Sequence, residues 1–399
     1  MSHGVYKTAI VGGGASGIIT AIELTRGENA LNGEEVVILE GLPRIGKKLI
    51  ATGNCQGNLT NANLSTQNYY GDKGFLHAFF ASNPDLEQYF YSLGIPLTCD
   101  EEGRKYPLSK QASAVLDILM ARLIFCKVNI FTEYKIDKIK LNNGIFEISS
   151  GSKKVRAERV VLACGGKAGS NFGTDGSSYS LATNFGHGLT ELFPSLVQLK
   201  CEREKIKGLK GLKESVVLSS IVNGERLKTA KGEILFTDYG VSGNAVFYIS
   251  PSVVNKNNAI LNVEFLPEYT IAELETMLQD KKENAPFIEN GDLLCGLLNK
   301  RIGKAVLDTC SDFSPKSVAY ALKNFKLSVL GTLGFDVAQV TRGGIKTDKI
   351  NPLSMHSKNE KSLYIVGEML DVDGDCGGYN LTFAFLSGIK AANSIKASF

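Results

Sequence analysis

Proline is scarce in this sequence, with ten residues among 399, while glycine is abundant at 42 residues. The scarcity of proline excludes a proline–glycine-rich, low-complexity chain, so the excess glycine indicates tight turns and close backbone approaches in a folded protein. None of the eight cysteines forms a CxxC pair, which excludes that redox motif and a zinc knuckle. We therefore expect reduced thiols and no metal site.

Long apolar runs are also missing. The best candidate, residues 115–131, contains Asp117, Arg122 and Lys127, and a cluster of glycines interrupts the apolar run near the N-terminus. The 44 basic and 41 acidic residues are interspersed and leave a net charge of +3, which disfavours a dedicated nucleic-acid-binding protein. We therefore expect a soluble cytoplasmic protein without a membrane or nucleic-acid partner. The sequence leaves its oligomeric state open.

The hydrophobic pattern predicts an α/β region, a long insertion and a return to the first region. Strand-like periodicity over 128–163 ends in an apolar run. From about 190 to 345 the predicted strands are 216–222, 232–238, 245–250 and 259–265, and the predicted helices are 270–284, 291–309 and 315–327. A buried strand over 362–368 and a helix over 380–395 follow. The length is that of two or three domains.

The most informative motif lies near the N-terminus. A predicted strand leads into Gly12-x-Gly14-x-x-Gly17 and a helix, and a second buried strand ends at Glu40. The first glycine of such a motif permits a tight turn, the second lets the backbone approach a pyrophosphate, and the third lets the helix pack on the strand. The helix N-terminus attracts phosphates, and the acid is spaced to bind ribose hydroxyls. The motif predicts a dinucleotide site but does not distinguish NAD from FAD.

A second glycine-containing segment precedes the last predicted helix. Gly377 and Gly378 lead into a helix, rich in small residues, that begins near Asn380 and Leu381. A reduced flavin carries negative charge at N1 and C2=O, and a helix N-terminus supplies the positive potential that stabilises it. An ordinary helix start capped by Asn380 is the alternative interpretation.

Several separated blocks resemble one known family. They are GGGASG, GKKLIATGN with NLTN, KYPLSKQAS, GGK with GTDGSSYSLA, GHGLTELFPSLVQL, GEILFTDYGVSG and LYIVGEMLDVDGDCGGYNL. With these blocks the chain resembles the aminoacetone-oxidase-like family of bacterial FAD-binding enzymes, which includes flavoproteins implicated in reductive bile-acid metabolism. The resemblance implies an α/β fold: a glutathione-reductase-like FAD-binding Rossmann domain with an inserted β-barrel-like domain and a small helical domain.

This fold predicts domain boundaries and a cofactor site. We expect the FAD-binding domain over 1–190 and 346–399, the β-rich insert over 191–270, the helical domain over 271–330, and a return strand of the insert over 331–345. The resemblance places around non-covalent FAD the residues Glu40, Lys47, Lys48, Ile136, Gly165, Glu368, Asp375, Asn380 and Leu381. The predicted site also includes Gly12, Gly14, Ala15, Ser16, Gly17, Asn54, Asn61, Ala163 and Gly367.

One block departs from the family pattern. Where the family usually reads TGNGRCNLTN, this chain reads TGNCQGNLTN, so Gln56 replaces an arginine. If that arginine meets an anionic substrate or the flavin in relatives, this protein lacks the charge. The sequence does not single out a catalytic acid or base. His187 and Cys164 are interpreted as structural, with a proton donor near the substrate as the alternative for His187.

The favoured function is an FAD-dependent oxidoreductase that acts on a small organic substrate by hydride transfer at the flavin, which needs neither a catalytic triad nor a metal. The alternatives are a hydrogen-peroxide-producing, aminoacetone-type amine oxidase and a flavin-dependent RNA-modifying protein. The sequence contains no second strand–GxGxxG–helix unit. We therefore expect NAD(P)H, where it serves as reductant, to bind only transiently near the flavin.

Overall fold

The structure, a computed structural model, describes residues 4–399. The chain folds into two compact units, one formed by the residues up to Phe193 together with Val340–Phe399, the other by Pro194–Gln339. The first unit is thus built from both ends of the chain, and the second is an insertion. Within residues 4–399, no helix has the combined length and apolar character needed to cross a bilayer.

The strands and helices are numbered in chain order. The strands are β1 Val5–Val11, β2 Val36–Leu39, β3 Thr60–Asn61, β4 Tyr69–Gly71, β5 Leu97–Cys99, β6 Arg104–Pro107, β7 Asn129–Phe131, β8 Lys138–Asn142, β9 Ile145–Ser150, β10 Lys153–Leu162, β11 Phe193–Ser195, β12 Leu199–Cys201, β13 Lys213–Val222, β14 Glu225–Phe236, β15 Gly240–Ser242, β16 Ala259–Phe265, β17 Phe325–Thr332, β18 Val340–Arg342, β19 Leu363–Ile365 and β20 Val372–Gly374. The helices are α1 Ala15–Leu24, α2 Lys73–Phe80, α3 Leu86–Ser92, α4 Ala112–Phe125, α5 Tyr179–Thr183, α6 Asn244–Val253, α7 Ile271–Asn284, α8 Lys300–Leu307, α9 Pro315–Lys323 and α10 Tyr379–Lys396.

The first unit is organised by a seven-stranded sheet with the order β7-β2-β1-β10-β9-β8, in which β19 also pairs with β10. β1 pairs in parallel with both β2 and β10. The long strand β10 pairs antiparallel with β9 near its start and parallel with β19 near its end. All four residues of β2 are buried, as expected for a parallel strand covered on both faces.

The first and last helices of this unit pack closely. A Cβ added to Gly388 of α10 would lie 2.7 Å from the carbonyl oxygen of Ser16 and 2.9 Å from Oγ1 of Thr20, both in α1. Only glycine allows the two helices this approach. This packing brings the beginning and the end of the chain together within the first unit.

The second unit contains a closed six-stranded antiparallel barrel with the order β12-β15-β14-β13-β16-β17. Barrel residues such as Phe236 and Phe265 belong to the same hydrophobic core as Leu274 of α7, Val306 of α8 and Leu322 of α9. The barrel predicted for the insert is therefore present, and the helices predicted over 271–330 share its core. The domain boundaries proposed from the sequence remain a prediction.

One predicted strand of the insert is a helix. Residues 245–250 lie in α6, because the buried residues Ala245, Val246, Ile249 and Val253 recur at helical rather than alternate spacing. A short apolar run does not by itself distinguish a buried strand from a buried helix. The prediction for this segment was wrong.

The helices predicted near the end of the insert are shorter in the structure. The predicted helix over 315–327 ends with α9, and the last barrel strand, β17, follows it. Asn324 ends this helix with φ of −135°, after which Phe325 and Leu327 point into the core as in an alternating strand. Similarly, the helix predicted over 291–309 is limited to α8, which begins after the N-cap Asn299.

Candidate cofactor site

The glycine-rich turn between β1 and α1 has the close contacts that the motif predicts. Gly12 has φ of +106°, and a Cβ there would lie 2.4 Å from the carbonyl oxygen of Ala163. A Cβ on Gly17 would lie 2.0 Å from the carbonyl oxygen of Gly12. The first glycine therefore permits the turn, and the third permits the helix to pack against it.

Gly14, the N-cap of α1, faces open space. A Cβ added there would meet no atom within 4 Å, and no described side chain caps the helix. The N–H groups of Ala15 and Ser16 lie in the first turn, where an α-helix provides no backbone acceptor. The backbone thus offers donors and a partial positive charge in a direction left open for a phosphate.

Glu40 follows β2 and is fixed beside the glycine-rich turn. Its Oε2 accepts a hydrogen bond from the N–H of Gly13 at 2.7 Å, and its Oε1 accepts one from the N–H of Leu42 at 2.8 Å. A carboxylate has about four lone-pair positions, so both oxygens can still accept hydrogen bonds from ribose hydroxyls. The position predicted for the ribose acceptor is therefore occupied by an oriented carboxylate.

Lys48 and Glu368 form an ion pair. Nζ of Lys48 lies 2.6 Å from Oε2 of Glu368 and donates a second hydrogen bond to the carbonyl oxygen of Ala168 at 3.0 Å. Oε1 of the same carboxylate accepts the N–H of Thr341 at 2.9 Å. Two residues predicted near FAD are thus brought together, while Lys47, predicted beside them, lies partly exposed.

Gly367 connects the N-terminal and C-terminal motifs. A Cβ on Gly367 would lie 2.6 Å from Oγ of Ser16, and the residue has φ of +69°. Its N–H donates to Oγ of Ser387 in α10 at 2.9 Å. Residues predicted from opposite ends of the sequence therefore lie in direct contact.

Asn380 stabilises the loop that leads into α10. Its Oδ1 accepts the N–H of Gly374 and its Nδ2 donates to the carbonyl oxygen of Gly374, both at 2.8 Å. The N-cap of α10 is Gly378, with φ of +95°, so the alternative of a helix capped by Asn380 is wrong. Leu381, in the first turn, is partly buried against the core.

Asp375 and Asn61, both buried, form further hydrogen bonds at this loop. Oδ1 of Asp375 accepts the hydroxyl of Tyr70 at 3.0 Å, and burial together with the Asp375 carboxylate raises the pKa of Tyr70. Nδ2 of Asn61 donates to the carbonyl oxygen of Gly377 at 2.9 Å. These side chains position the backbone at the start of α10.

The buried hydroxyl of Tyr179 has no hydrogen-bond partner within residues 4–399. The side chain is 3% exposed, and burial, followed by the Glu368 carboxylate, raises its pKa. A buried polar group without a partner is unfavourable, and a bound polar ligand is one way to satisfy it. Sequence reasoning did not select this residue, although it lies within the GTDGSSYSLA block.

The remaining predicted residues have varied environments. Ala163 is buried and its N–H donates to the carbonyl oxygen of Val11 at 2.8 Å. Gly165 has φ of +74°, and Ile136 is buried. Asn54 lies in an exposed turn with φ of +53°, and no hydrogen bond within the described residues joins it to the groups above.

The side chains considered for other chemistry have structural partners. Sγ of Cys164 contacts the carbonyl oxygen of Val11 at 3.3 Å, and burial raises the pKa of the thiol to about 12. Nε2 of His187 lies 2.8 Å from Oγ of Ser357. Among residues 4–399, no group of three or more His, Cys, Asp or Glu side chains is arranged to hold a metal ion.

Together these groups fit an adenine dinucleotide. The open direction at Gly14 suits a pyrophosphate, Glu40 suits a ribose, and the unpartnered Tyr179 hydroxyl suits a polar ligand. The fold and site define an FAD-dependent oxidoreductase with a Rossmann-type cofactor domain. Residues 6–394 match the family described as HI0933-like protein Rossmann domain, and the chain belongs to that family.

Curated relatives extend over almost the whole chain. The 3-dehydro-bile acid delta(4,6)-reductase of Clostridium scindens is 34% identical over 97% of this chain and 98% of its own length. The ribosomal RNA dihydrouridine synthase of Haemophilus influenzae is 25% identical over 98% of both chains, and that of Escherichia coli is 23% identical over the same share. The family membership inferred from the motif blocks is confirmed.

Solved structures share the fold at low identity. The 3-ketosteroid-delta4-(5alpha)-dehydrogenase of Rhodococcus jostii RHA1 has a TM-score of 0.53 at 15% identity, covering 99% of this chain and 98% of that chain. The 3-ketosteroid delta1-dehydrogenase of Sterolibacterium denitrificans has a TM-score of 0.52 at 12% identity, covering 100% of both chains. The predicted fold class, a Rossmann-type domain with a barrel insert, is confirmed.

Proposed function

We propose that this enzyme reduces a carbon–carbon double bond conjugated to a carbonyl group in a small, steroid-like substrate. The observation that carries the proposal is the 34% identity, over nearly the full length of both chains, to a protein named 3-dehydro-bile acid delta(4,6)-reductase. That name describes the addition of hydrogen to double bonds conjugated to a 3-oxo group. FAD, when bound, supplies the hydride for such a reduction.

The chain's own residues bind and orient the cofactor in this proposal. The first turn of α1, beginning after Gly14, holds the pyrophosphate, and Glu40 accepts the ribose hydroxyls. Lys48 and Glu368 form an ion pair near the cofactor in this proposal, where the cation balances phosphate charge and the carboxylate accepts hydroxyl groups. The start of α10 directs its first N–H groups towards negative charge on the cofactor.

The source of the electrons is a separate part of the proposal. The chain has a single strand–GxGxxG–helix unit, and we assign that unit to FAD. NAD(P)H would therefore bind only for the time of hydride transfer, without its own dinucleotide domain. A stopped-flow comparison of NADH and NADPH as reductants tests this directly. A transient site predicts that the rate of flavin reduction reaches half its maximum only at a high concentration of NADH or NADPH.

Reduction of a uracil in ribosomal RNA is the second candidate. Two relatives named ribosomal RNA dihydrouridine synthase cover 98% of this chain, although at 25% and 23% identity. The chemistry is related, because the uracil double bond that becomes saturated in dihydrouridine is also conjugated to a carbonyl. The balanced charge of the chain disfavours this candidate, since RNA binding depends on phosphate neutralisation by clustered Lys and Arg.

The deciding experiment offers both substrates to the same anaerobically reduced protein. A 3-oxo-4,6-diene bile acid is expected to reoxidise the flavin and to gain two hydrogens by mass spectrometry. Ribosomal RNA without dihydrouridine, treated identically, is expected to remain unmodified. Modified RNA together with an unchanged steroid would replace the first candidate by the second.

A separate experiment tests the amine oxidase alternative. The oxidised protein is mixed with aminoacetone in air, and hydrogen peroxide is measured by a peroxidase-coupled assay. We expect no peroxide above that formed without the amine. Rapid amine-dependent peroxide formation, with no steroid reduction, would show that the flavin is reduced by its substrate rather than by an external reductant.

A further inference from the structure

Thr341 occupies a central position beside the Lys48–Glu368 pair. Its side chain is 1% exposed, and its Oγ1 accepts two consecutive backbone N–H groups, from Lys167 at 2.7 Å and from Ala168 at 2.8 Å. Its own N–H donates to Oε1 of Glu368 at 2.9 Å. One small residue therefore satisfies two donors of a loop and one oxygen of a carboxylate.

These contacts close a ring of hydrogen bonds. The carbonyl oxygen of Ala168 accepts Nζ of Lys48 at 3.0 Å, and the same Nζ lies 2.6 Å from Oε2 of Glu368. The carboxylate returns to Thr341 through Oε1. The ring joins four chain segments that are distant in the sequence, and each member has its position determined by two others.

The backbone passes closely over this ring. A Cβ on Gly166 would lie 2.4 Å from Oγ1 of Thr341 and 2.8 Å from Oε1 of Glu368. The glycine thus allows the loop to reach the threonine hydroxyl. The hydroxyl is suited to this place because an oxygen with two lone pairs accepts both N–H groups, whereas a hydrocarbon side chain of the same shape would leave both buried and unpaired.

We propose that Thr341 is a positioning residue for FAD. It acts through Glu368 and Lys48, holding the carboxylate and the ammonium group in one fixed arrangement towards the polar part of the cofactor. Replacement of the hydroxyl by a methyl group would let the loop at 167–168 move and would release one side of the carboxylate. The inference depends on FAD binding beside Lys48 and Glu368 and not on the identity of the substrate.

The test compares Thr341→Val with Thr341→Ser. FAD is titrated into the apoprotein, and its dissociation constant is measured by quenching of flavin fluorescence. Thr341→Val, which keeps the shape and loses the acceptor, is expected to weaken FAD binding roughly tenfold or more. Thr341→Ser, which keeps the acceptor, is expected to bind FAD within about twofold of the unmodified protein.

A double-mutant cycle separates positioning from general stability. If Thr341 acts through the ion pair, the Thr341→Val change has a smaller effect on FAD binding in a Lys48→Met background than in the unmodified protein. Equal fold-changes in the two backgrounds, or an unchanged dissociation constant in Thr341→Val, would overturn the proposal. The melting temperature of the apoprotein is measured beside each titration, so that loss of folded protein is not taken as loss of affinity.

A further variant keeps the test usable if Thr341→Val does not fold. Thr341→Cys places a weaker acceptor in nearly the same space and is expected to shift FAD binding in the same direction by a smaller factor. The visible spectrum of the bound flavin is recorded for each variant. A Thr341→Cys protein with the unmodified dissociation constant and spectrum would also contradict the positioning role.

Discussion

Lys48 and Glu368 are 320 residues apart in the chain, yet Nζ of one lies 2.6 Å from Oε2 of the other. The lysine side chain is 25% exposed and the glutamate side chain 19%, so the pair is screened less than a surface pair. It links the loop that follows Glu40 to the segment that follows β19. Two residues predicted near FAD, one from each end of the chain, are thereby held together.

Removal of the lysine tests this link. Lys48→Met should weaken FAD binding on the order of tenfold, because the cation that balances phosphate charge is lost and the mostly buried Glu368 carboxylate is left without its partner. FAD titration of the apoprotein measures the effect. Lys210→Met, which breaks an exposed pair with Asp238 in the second unit, is the matched control and should leave FAD affinity unchanged. Equal affinities of the two variants would remove Lys48 from the site.

Glu40 provides a second test at the adenosine end. Glu40→Ala removes the carboxylate and leaves the ribose hydroxyls and the N–H of Gly13 without their acceptor. The expected cost is about 1–3 kcal/mol of FAD affinity. Glu40→Gln retains one acceptor oxygen and should lose less. A dissociation constant for Glu40→Ala equal to that of the unmodified protein would show that the ribose lies elsewhere.

The start of α10 is expected to influence the flavin potential. Gly378 has φ of +95°, and a Cβ there would lie 2.6 Å from the carbonyl oxygen of Thr60, so Gly378→Ala should displace the first turn. Loss of its N–H groups at the reduced flavin corresponds to about 1–3 kcal/mol, or roughly 20–65 mV towards lower midpoint potential.

The matched control is Gly94→Ala, where φ is also positive but a Cβ would meet no atom within 4 Å. Its flavin potential should equal that of the unmodified protein. A Gly378→Ala protein that binds one FAD per chain and has an unshifted flavin potential would mean that this helix does not stabilise the reduced flavin.

His187 predicts a dependence of stability on pH. Oγ of Ser357 accepts N–H groups from Asn359 and Glu360, both at 3.1 Å, so its proton is donated to Nε2 of His187. Burial, reinforced by Lys349, lowers the pKa of His187, which favours the neutral ring in the folded state.

The unfolded state then binds the additional proton as the pH falls below about 6.5, and folding stability is lost in that direction. The contribution is fully present above that pH. The melting temperatures of the unmodified protein and of His187→Gln are measured from pH 8 to pH 5. As the pH falls, the melting temperature of the unmodified protein should decrease more than that of the variant. A constant difference across the range would show that His187 does not titrate differently in the two states.

The parts of the site that depend on local sequence could be predicted. The glycine spacing predicts the turn after β1, because the closest contact of Gly17 is with Gly12 in the same short motif. Glu40 follows from its position at the end of a buried strand. The barrel in the insert follows from the resemblance and from the strand-like segments.

The parts of the site that depend on contacts between distant segments of the chain could not be predicted from the sequence. Nothing near Lys48 in the sequence indicates that its partner is Glu368, or that Thr341 donates a hydrogen bond to the same carboxylate. The polar atoms of Asn61 and Asn380 bond loop backbone, which a motif does not reveal. The helix α6 was predicted as a strand because its apolar run is short and the deciding contacts come from the barrel core.

Release of the cofactor from the purified protein measures whether the two ends of the chain together hold FAD. The purified protein should be yellow, and heat denaturation should release about one FAD per chain, identified by chromatography and mass spectrometry, with none retained covalently. Glu40→Ala and Thr341→Val, purified in the same way, should contain less. Release of FMN or NAD, or of no cofactor from folded protein that also fails to bind added FAD, would show that FAD is not the cofactor of this protein.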